Sequence, residues 1–321
     1  MTNFIDVGIM HHCYFMSNNM PRSKILLLTT QSSKIPISIL TASAFKFQPS
    51  KYKVVTMDDR VPFYKLATID GNKPYADGDR AQATIFHSLQ LTQKCKQDPS
   101  LIVVDIGGFL GDFGLYAAAC GCHVFIFEVQ PEMVELIKTS VALNNFSTSR
   151  VHVIQKAVSN LPSNSQVTFA SQGGQTTAMN GTLLVSTIRL DDIDWPAASS
   201  IILLKIDVEG FELNVLRSGE GLFREKRIQH VIFEYTAWWT DRAAQDALIP
   251  YVKNTLNAKD LYALDRRDVN VYGPLSEDLF REFHNSHVRR HLQTDIYARF
   301  LESNGNSNLE VQPYKMGSSF A

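Results

Sequence analysis

The feature that most constrains the fold is a regular alternation of short apolar runs and helical segments between Leu101 and Phe300. Short apolar runs that end in glycine or in acidic residues are typical of buried parallel strands. Seven such strands are predicted, at residues 101–106, 123–127, 151–158, 201–207, 229–235, 261–264 and 295–300. Because strands that alternate with helices imply βαβ crossovers, we predict an α/β, Rossmann-like fold. Its sheet is mostly parallel and seven-stranded, with helices on both faces.

Further segments extend this pattern on either side. Gln166–Ala170 and Leu183–Ile188 flank a stretch rich in glycine, serine, threonine and asparagine, which predicts a β-hairpin insertion. Apolar residues on one side predict a single helix over 79–94. The first 50 or so residues have weak periodicity. We therefore predict an accessory segment over 1–77, a main domain over 78–304 and a C-terminal tail over 305–321.

Composition and charge limit the partners. The chain has 321 residues, of which 45% are hydrophobic and 20% charged, and a net charge of −1 without a long basic run. Binding to nucleic acid or to an anionic membrane needs concentrated positive charge, so we predict neither partner and expect a small-molecule enzyme. The apolar stretch 25–45 is interrupted by Lys34 and falls short of the roughly 20 apolar residues of a membrane span. No signal peptide is predicted, and the cytoplasm is the expected location.

The cysteines form no recognisable pattern. Only Cys120 and Cys122 are close, and their spacing, with Cys13 and Cys95 far away, is typical of neither a zinc site nor a disulfide framework. We therefore predict four free thiols in a reducing compartment.

A glycine-rich turn, Asp105-Ile-Gly-Gly-Phe-Leu-Gly111, follows the first predicted strand. Glycines let the backbone turn sharply and approach a ligand closely, but the spacing is not the G-x-G-x-x-G of a dinucleotide site. An acidic residue before the glycines suits a cationic ligand such as S-adenosylmethionine (SAM). Glu128 ends the second strand, where a carboxylate can accept hydrogen bonds from ribose hydroxyls. Asp105, Gly107, Gly111 and Glu128 together predict a nucleoside-containing cofactor.

A charged cluster ends the fourth predicted strand. Because side chains alternate along a strand, Lys205, Asp207 and Glu209 are predicted to project to one face. Burying three ionisable groups is costly unless they pair or serve a site, and such clusters favour a functional site. The alternative is a structural network in which Lys205 neutralises one of the carboxylates.

Several segments resemble the FkbM-type SAM-dependent methyltransferases, among them VVDIGGFLGDFGLYAAACG, KAVSN, LDDI, VIFEYT and, most specifically, LLKIDVEGFELNVLRSG. The resemblance runs from about Leu101 to Thr236. It implies the class I methyltransferase fold, SAM as cofactor, and O-methylation of a hydroxyl on a sugar or other small hydroxylated metabolite. It also implies that SAM is bound by Asp105, Gly107, Gly108, Gly111, Glu128 and Ala157. Asp207 and Glu209 would then face the reaction centre beside Lys205.

Two positions depart from the family's pattern. Gly108-Phe109 stands where the family usually has Ala-Asn, which removes a polar side chain near the cofactor, and Val129-Gln130 replaces the usual proline after the acidic residue. The fourth strand also lacks the Asn/Asp-Pro-Pro-Tyr/Phe motif of N-methyltransferases that act on planar amines, which favours an oxygen acceptor.

The predicted chemistry is an in-line methyl transfer to a hydroxyl. A carboxylate can take the hydroxyl proton, and we predict that Asp207 acts as this base or as a metal ligand. Glu209 is then the second carboxylate, Lys205 the orienting charge, and Glu234 a further carboxylate. A Mg²⁺ ion that bridges Asp207, Glu209 and the substrate oxygens is an alternative.

Some aromatic and histidine residues have two interpretations. Trp238 and Trp239 are interpreted as packing residues, with stacking on the acceptor as the alternative. His284, His287 and His291 fall on one face of a predicted helix, and the neighbouring arginines favour a solvated face over a metal site.

Two rival functions belong to other classes. A nicotinamide-dependent oxidoreductase shares the fold class but has a different glycine fingerprint. A catalytically inactive SAM-fold binding protein is the other, and Phe109 is its best support.

Overall fold

The computed structural model describes most of the chain, namely residues 34–41, 52–74, 77–172, 175–177, 181–197, 199–266, 270–301 and 309–314. The strands are, in chain order, β1 (Lys53–Met57), β2 (Tyr64–Thr68), β3 (Ile102–Ile106), β4 (His123–Phe127), β5 (Val151–Ile154), β6 (Ala157–Val158), β7 (Gln166–Gln172), β8 (Gln175–Thr177), β9 (Leu183–Ile188), β10 (Ile201–Ile206), β11 (His230–Tyr235), β12 (Asp260–Leu264), β13 (Val271–Tyr272) and β14 (Thr294–Arg299). The helices are α1 (Ile37–Leu40), α2 (Asp77–Ser88), α3 (Leu91–Gln97), α4 (Asp112–Ala119), α5 (Pro131–Leu143), α6 (Glu212–Ser218), α7 (Glu220–Arg224), α8 (Gln245–Pro250) and α9 (Phe280–Arg290). A π-helical turn, Tyr251–Thr255, continues α8, and short 3₁₀ turns lie at Leu190–Asp192 and Glu277–Leu279.

The main sheet has the order β13-β12-β14-β11-β10-β3-β4-β5. Neighbouring strands from β5 to β11 are parallel, while β14 runs antiparallel to both β11 and β12. The predicted mostly parallel sheet of seven strands is confirmed, and the two-residue strand β13 adds an eighth at one edge. The chain leaves β3 towards β4 on one side and returns to β10 on the other. Such a switch in strand order opens a crevice at the carboxyl ends of the strands.

The core fills both faces of this sheet, as predicted. Alternation along β3 sends Val104 into one apolar cluster and Val103 into the other. The first cluster is closed by α6, α7, α8 and α9, and the second by α2, α3, α4 and α5.

The antiparallel pair β1–β2 packs on the second cluster. Met57, Tyr64 and Leu66 are buried there, and the Ala67 amide donates a hydrogen bond to Ser140 Oγ of α5 at 2.8 Å. Part of the segment 1–77 therefore contributes to the core, while residues 1–33 and 42–51 lie outside the described residues. The domain limits given above stay a prediction.

A second, smaller sheet has the order β6-β9-β7-β8 and contains the predicted hairpin, with β7 antiparallel to β9. The predicted third strand, 151–158, is split between the two sheets. β5 belongs to the main sheet, whereas β6 pairs with β9.

The helix predicted over 79–94 is two helices, α2 and α3. Gln90 adopts a left-handed backbone (φ 52°) that ends the first one. Leu89 and Leu91 are both buried in the same apolar cluster. A continuous helix would place residues two apart on different faces, so the break allows both leucines to pack.

The prediction of four free thiols is wrong for one pair. Cys95 of α3 and Cys122, just before β4, form a disulfide across 27 residues of sequence, with their Cα atoms 4.8 Å apart. This pair arises from tertiary packing, which cysteine spacing does not reveal. Cys120 is free and buried, and Cys13 lies outside the described residues.

Among the helices of the described residues, none is long and apolar enough to cross a membrane. The cytoplasmic location stays a prediction.

Candidate active site

The glycine-rich turn joins the carboxyl ends of three strands. The amides of Gly107 and Gly108 both donate hydrogen bonds to the Phe127 carbonyl at the end of β4, at 3.0 and 3.1 Å. Gly107 has a φ of +76°, and a Cβ atom there would lie 1.7 Å from the Asp207 carbonyl oxygen at the end of β10. Only glycine therefore allows the turn to approach β10 this closely. Gly111, with a φ of +79°, caps α4.

Asp105 lies behind this turn. It is fully buried, and its Oδ2 accepts a hydrogen bond from the Gly114 amide at 3.0 Å. Its neighbour across the sheet is Lys205, whose Nζ is 3.5 Å from Asp105 Oδ1. Burial raises the pKa of Asp105, and the ammonium group of Lys205 opposes this rise. Asp105 thus ties the turn to α4 and to β10.

Glu128 follows β4, where the backbone surrounds its carboxylate. Its Oε1 accepts hydrogen bonds from the amides of Val129 and Gln130, both at 2.8 Å, and its Oε2 accepts one from Phe109 at 2.7 Å. Burial raises the pKa of Glu128, and these three amides oppose the rise. A carboxylate oxygen can accept two hydrogen bonds, so Oε2 retains one acceptor position.

Phe109 stands where the resembled family usually has asparagine. Its φ is 49°, and its side chain is 41% exposed. Asparagine is enriched in the left-handed region, whereas a bulky residue there is an outlier. The departure noted from the sequence therefore places a strained aromatic residue at the cavity.

Lys205 connects the turn with the charged strand end. Its Nζ donates a hydrogen bond to the Gly107 carbonyl at 3.0 Å and lies 3.6 Å from Asp207 Oδ2. The Asp207 side chain is 34% exposed. The lysine is thus buried between a buried carboxylate, that of Asp105, and an accessible one.

Glu209 is held by Arg242, a residue that the sequence did not indicate. Arg242 donates a hydrogen bond to the Glu209 carbonyl, and its Nη1 lies 3.7 Å from Glu209 Oε2. The guanidinium carbon of Arg242 lies 3.8 Å from the ring centroid of Trp239, in cation–π geometry. Burial raises the pKa of Glu209, Asp207 raises it further, and Arg242 opposes both.

The loop after β10 is also pinned from α6. Glu212 Oε1 accepts hydrogen bonds from the amides of Val208 and Gly210, both at 3.1 Å. Burial raises the pKa of Glu212 to about 7. Glu212 thus shapes the loop that carries Asp207 and Glu209.

Glu234 lies near the end of β11 in a buried network that also interacts electrostatically with Asp207. Arg266 Nη2 lies 3.0 Å from Glu234 Oε1 and 2.6 Å from Asp295 Oδ1, and Gln82 donates a hydrogen bond to Asp295 at 3.1 Å. Burial raises the pKa of Glu234 well above its usual range. Among the described residues, Glu234 is not one of those that line the cavity described below.

One cavity of about 1040 Å³ lies at the carboxyl end of the sheet, beside the glycine-rich turn. Of the residues predicted from the sequence, it is lined by Gly107, Gly108, Glu128, Ala157, Lys205, Asp207 and Glu209. Asp105 and Gly111 lie behind its wall. Residues 69–74, after β2, and 166–169, in β7, also line the cavity, and sequence patterns gave no signal for the first of these two walls.

The histidine face predicted to be solvated is largely occupied by protein. His287 is fully buried, with ring nitrogens 2.8 Å from the Phe283 carbonyl and 2.9 Å from Thr294 Oγ1. Burial lowers the pKa of His287 to about 4. His284 contacts the Tyr235 hydroxyl at 2.7 Å, and His291 stacks on Trp238. The prediction is wrong at His287 because α9 packs this residue against β14.

Comparison of the chain with known proteins assigns it to a protein family. A model of the methyltransferase FkbM domain matches residues 105–266, half of the chain. Similar solved structures include the N-terminal domain of human METTL16 in complex with SAH (12% identity, 72% of this chain and 73% of that chain, TM-score 0.37). A putative SAM-dependent methyltransferase from Streptococcus mutans is 12% identical, with 79% of this chain and 57% of that chain covered and a TM-score of 0.38. The StiE O-MT domain is 11% identical, with 72% of this chain and 76% of that chain covered and a TM-score of 0.38. None of the curated proteins matches the chain.

The parallel sheet with its antiparallel strand β14 and the cavity beside the glycine turn define a Rossmann-like methyltransferase fold. The chain belongs to the FkbM methyltransferase domain family, which implies SAM as the methyl donor. The family assignment rests on the sequence match, and the predicted resemblance is confirmed.

Proposed function

We propose that the chain transfers the methyl group of SAM to a hydroxyl of a small acceptor, and that Asp207 accepts the hydroxyl proton. The observation that carries this proposal is the position of Asp207. It lines the same cavity as Glu128 and Gly107, it is accessible, and a buried lysine holds it.

The residues around the cavity suit a nucleoside cofactor. Glu128 Oε2 keeps an acceptor position for a ribose hydroxyl, while Gly107, Gly108 and Ala157 present little side chain to the cavity. The volume of about 1040 Å³ slightly exceeds the range of roughly 300–1,000 Å³ for small-molecule pockets, which leaves room for an acceptor beside the cofactor.

The chemistry needs alignment and a base. When bound, SAM supplies an electrophilic methyl group on a sulfonium. Asp207 takes the proton of the acceptor hydroxyl as the oxygen–methyl bond forms, which contributes roughly 10²–10⁴ in rate. Lys205 orients the Asp207 carboxylate, and Glu209, fixed by Arg242, accepts a hydrogen bond from a second acceptor hydroxyl. Positioning of both reactants supplies a further part of the rate.

The Mg²⁺ alternative has no step in this proposal. The described residues contain no group of three or more His, Cys, Asp or Glu side chains placed to hold a metal ion.

A sugar or another small hydroxylated metabolite suits the cavity better than a nucleic acid. Asp207 and Glu209 place two carboxylates in the cavity where the acceptor reacts, and the chain has a net charge of −1. Both features oppose phosphate groups. One METTL16 structure is a complex with the MAT2A 3'UTR hairpin 1, so an RNA hairpin belongs in the test as a competing acceptor.

The test measures SAH release from SAM with hydroxylated acceptors (methyl glycosides, inositols, catechols), the corresponding amines and an RNA hairpin. We expect turnover only with hydroxyl acceptors. Asp207→Asn should lower the rate by roughly 10²–10⁴ while SAH still binds. Asp194→Asn, at an exposed aspartate outside the cavity lining, is the matched control. Methylation of nitrogen, or an unchanged rate in Asp207→Asn, contradicts the proposal; SAH binding without turnover on any acceptor supports the inactive rival.

A further inference from the structure

Three large apolar side chains are exposed around the cavity that holds Asp207. Ile69 is 53% exposed, Phe109 41% and Leu161 43%, and all three line the cavity. They come from separate parts of the chain, namely the turn after β2, the glycine-rich turn and the segment between β6 and β7. We call these three residues the apolar mouth. Single exposed apolar residues are ordinary, but a group of them around one opening indicates a binding surface.

Phe109 carries the strongest argument. Its left-handed backbone is an outlier for a bulky side chain, and its amide is fixed by Glu128 Oε2 at 2.7 Å. Backbone strain of this kind clusters at functional sites. Asparagine adopts the same conformation more easily. A phenylalanine ring held there at the opening of the cavity is explained if the ring itself contacts a ligand.

Two polar residues near Ile69 have partners within the protein. Asn72 donates a hydrogen bond to Asp70 Oδ2 at 2.7 Å, and Lys73 pairs with Asp58. Val167 and Phe169 of β7 are half-buried and also line the cavity.

The cavity lining thus has a charged part and an exposed apolar part. Lys205, Asp207 and Glu209 supply charge where the hydroxyl must react, whereas the apolar mouth supplies hydrocarbon surface towards solvent. A uniformly polar acceptor would leave the apolar mouth in contact with water and would gain no binding free energy from it. A ligand with one polar and one apolar portion satisfies both ends.

We propose that the methyl acceptor is amphipathic: a hydroxyl-bearing portion reaches Asp207 and an alkyl or aromatic portion lies on Ile69, Phe109 and Leu161. This inference rests on the proposed function, because the acceptor must enter the cavity that Asp207 lines. Phe109 is then a residue that determines acceptor specificity.

The test titrates SAH-loaded protein with 1-hexanol and 1-octanol by calorimetry. The two additional CH₂ groups, once buried, should make 1-octanol bind roughly tenfold more tightly. Phe109→Asn, which introduces the residue usual in the family and relieves the strain, should reduce this ratio to roughly threefold or less. Leu161→Asn is a second variant with an exposed side chain, and it should reduce the ratio too. Leu184→Asn is the matched control, because Leu184 is 60% exposed and does not line the cavity.

Two outcomes overturn the inference. One is equal affinity for the two alcohols in protein that binds SAH, or a ratio that neither mouth variant changes. The other is a dimer that Phe109→Asn dissociates, which assigns the mouth to a second copy of this chain. Failure of the proposed function is separate: it appears as absent SAH binding, or as hydroxyl methylation that does not depend on Asp207.

Discussion

Replacing Lys205 by methionine should destabilise the protein through Asp105. The Lys205 ammonium lies 3.5 Å from a carboxylate that is fully buried. At an effective dielectric constant of about 20, the attraction at that distance is roughly 5 kcal/mol, part of which offsets the desolvation of both ions. Removing one partner of a buried pair costs roughly 3–5 kcal/mol. We expect a loss of this size in the free energy of unfolding at pH 7.5.

The loss should depend on pH. Burial raises the pKa of Asp105 and Lys205 lowers it, so the variant has a still higher pKa. An acid whose pKa is raised by folding loses stability as the pH rises from its unfolded value, roughly 4, through its folded value. The penalty of Lys205→Met should therefore be smaller at pH 4.5 than at pH 7.5, because a larger fraction of Asp105 is protonated at the lower pH.

Urea denaturation followed by tryptophan fluorescence measures this effect. The double variant Asp105→Asn/Lys205→Met carries no charge at either position of this pair and should regain roughly 2 kcal/mol, a non-additive result typical of contacting residues. Lys65→Met, at an exposed lysine of β2, should change stability by about 0.5 kcal/mol or less. Equal penalties at both pH values, or a double variant no more stable than Lys205→Met, would refute the reasoning.

Three other substitutions test separate contacts. Gly107→Ala places a Cβ atom 1.7 Å from a backbone carbonyl, so calorimetry should find SAH binding weakened by more than tenfold. Arg242→Met removes the cation that opposes the raised pKa of Glu209, so that pKa should rise and the acidic limb of the kcat–pH profile should move to higher pH. Cys95→Ser with Cys122→Ser opens a link across 27 residues, which should cost roughly 3–4 kcal/mol in chemical denaturation.

Each of these has a control and a contradicting result. Gly121→Ala is compared with Gly107→Ala, because a Cβ at Gly121 meets only Lys96 Cγ at 3.9 Å; equal SAH affinity in Gly107→Ala and the wild type would refute the close approach. Arg224→Met, at an exposed arginine, is the control for Arg242→Met. A kcat–pH profile that Arg242→Met does not shift would contradict the role of Arg242 in positioning Glu209. Cys120→Ser keeps the disulfide, and free thiols at both Cys95 and Cys122 under non-reducing mass spectrometry would show that the bond is absent.

Regular features of the sequence predicted the main sheet well. The apolar runs that became β3, β4, β10 and β11 are buried on both faces, so their composition alone distinguishes them from surface segments. The glycine turn was equally informative, because the positive φ and the close backbone approach at Gly107 require glycine at this position.

Features that depend on tertiary packing were missed. Arg242 reaches Glu209 from a loop 33 residues further on, where nothing in the local sequence distinguishes it from a surface arginine. The Cys95–Cys122 bond joins residues 27 apart in sequence. His287 is buried because α9 packs it against Thr294 of β14 and Tyr235 of β11. The helix break at Gln90 allows Leu89 and Leu91 to pack into the same apolar cluster.

The central claim is that the cavity beside the glycine turn binds the cofactor through Glu128. Calorimetric titration of SAH into the wild type, Glu128→Gln and the exposed control Glu132→Gln tests it most directly. We predict that the wild type and Glu132→Gln bind SAH equally, and that Glu128→Gln binds it at least tenfold more weakly, because a ribose hydroxyl loses its charged acceptor. Absence of SAH binding to the wild type, or equal affinity in all three proteins, would contradict the account.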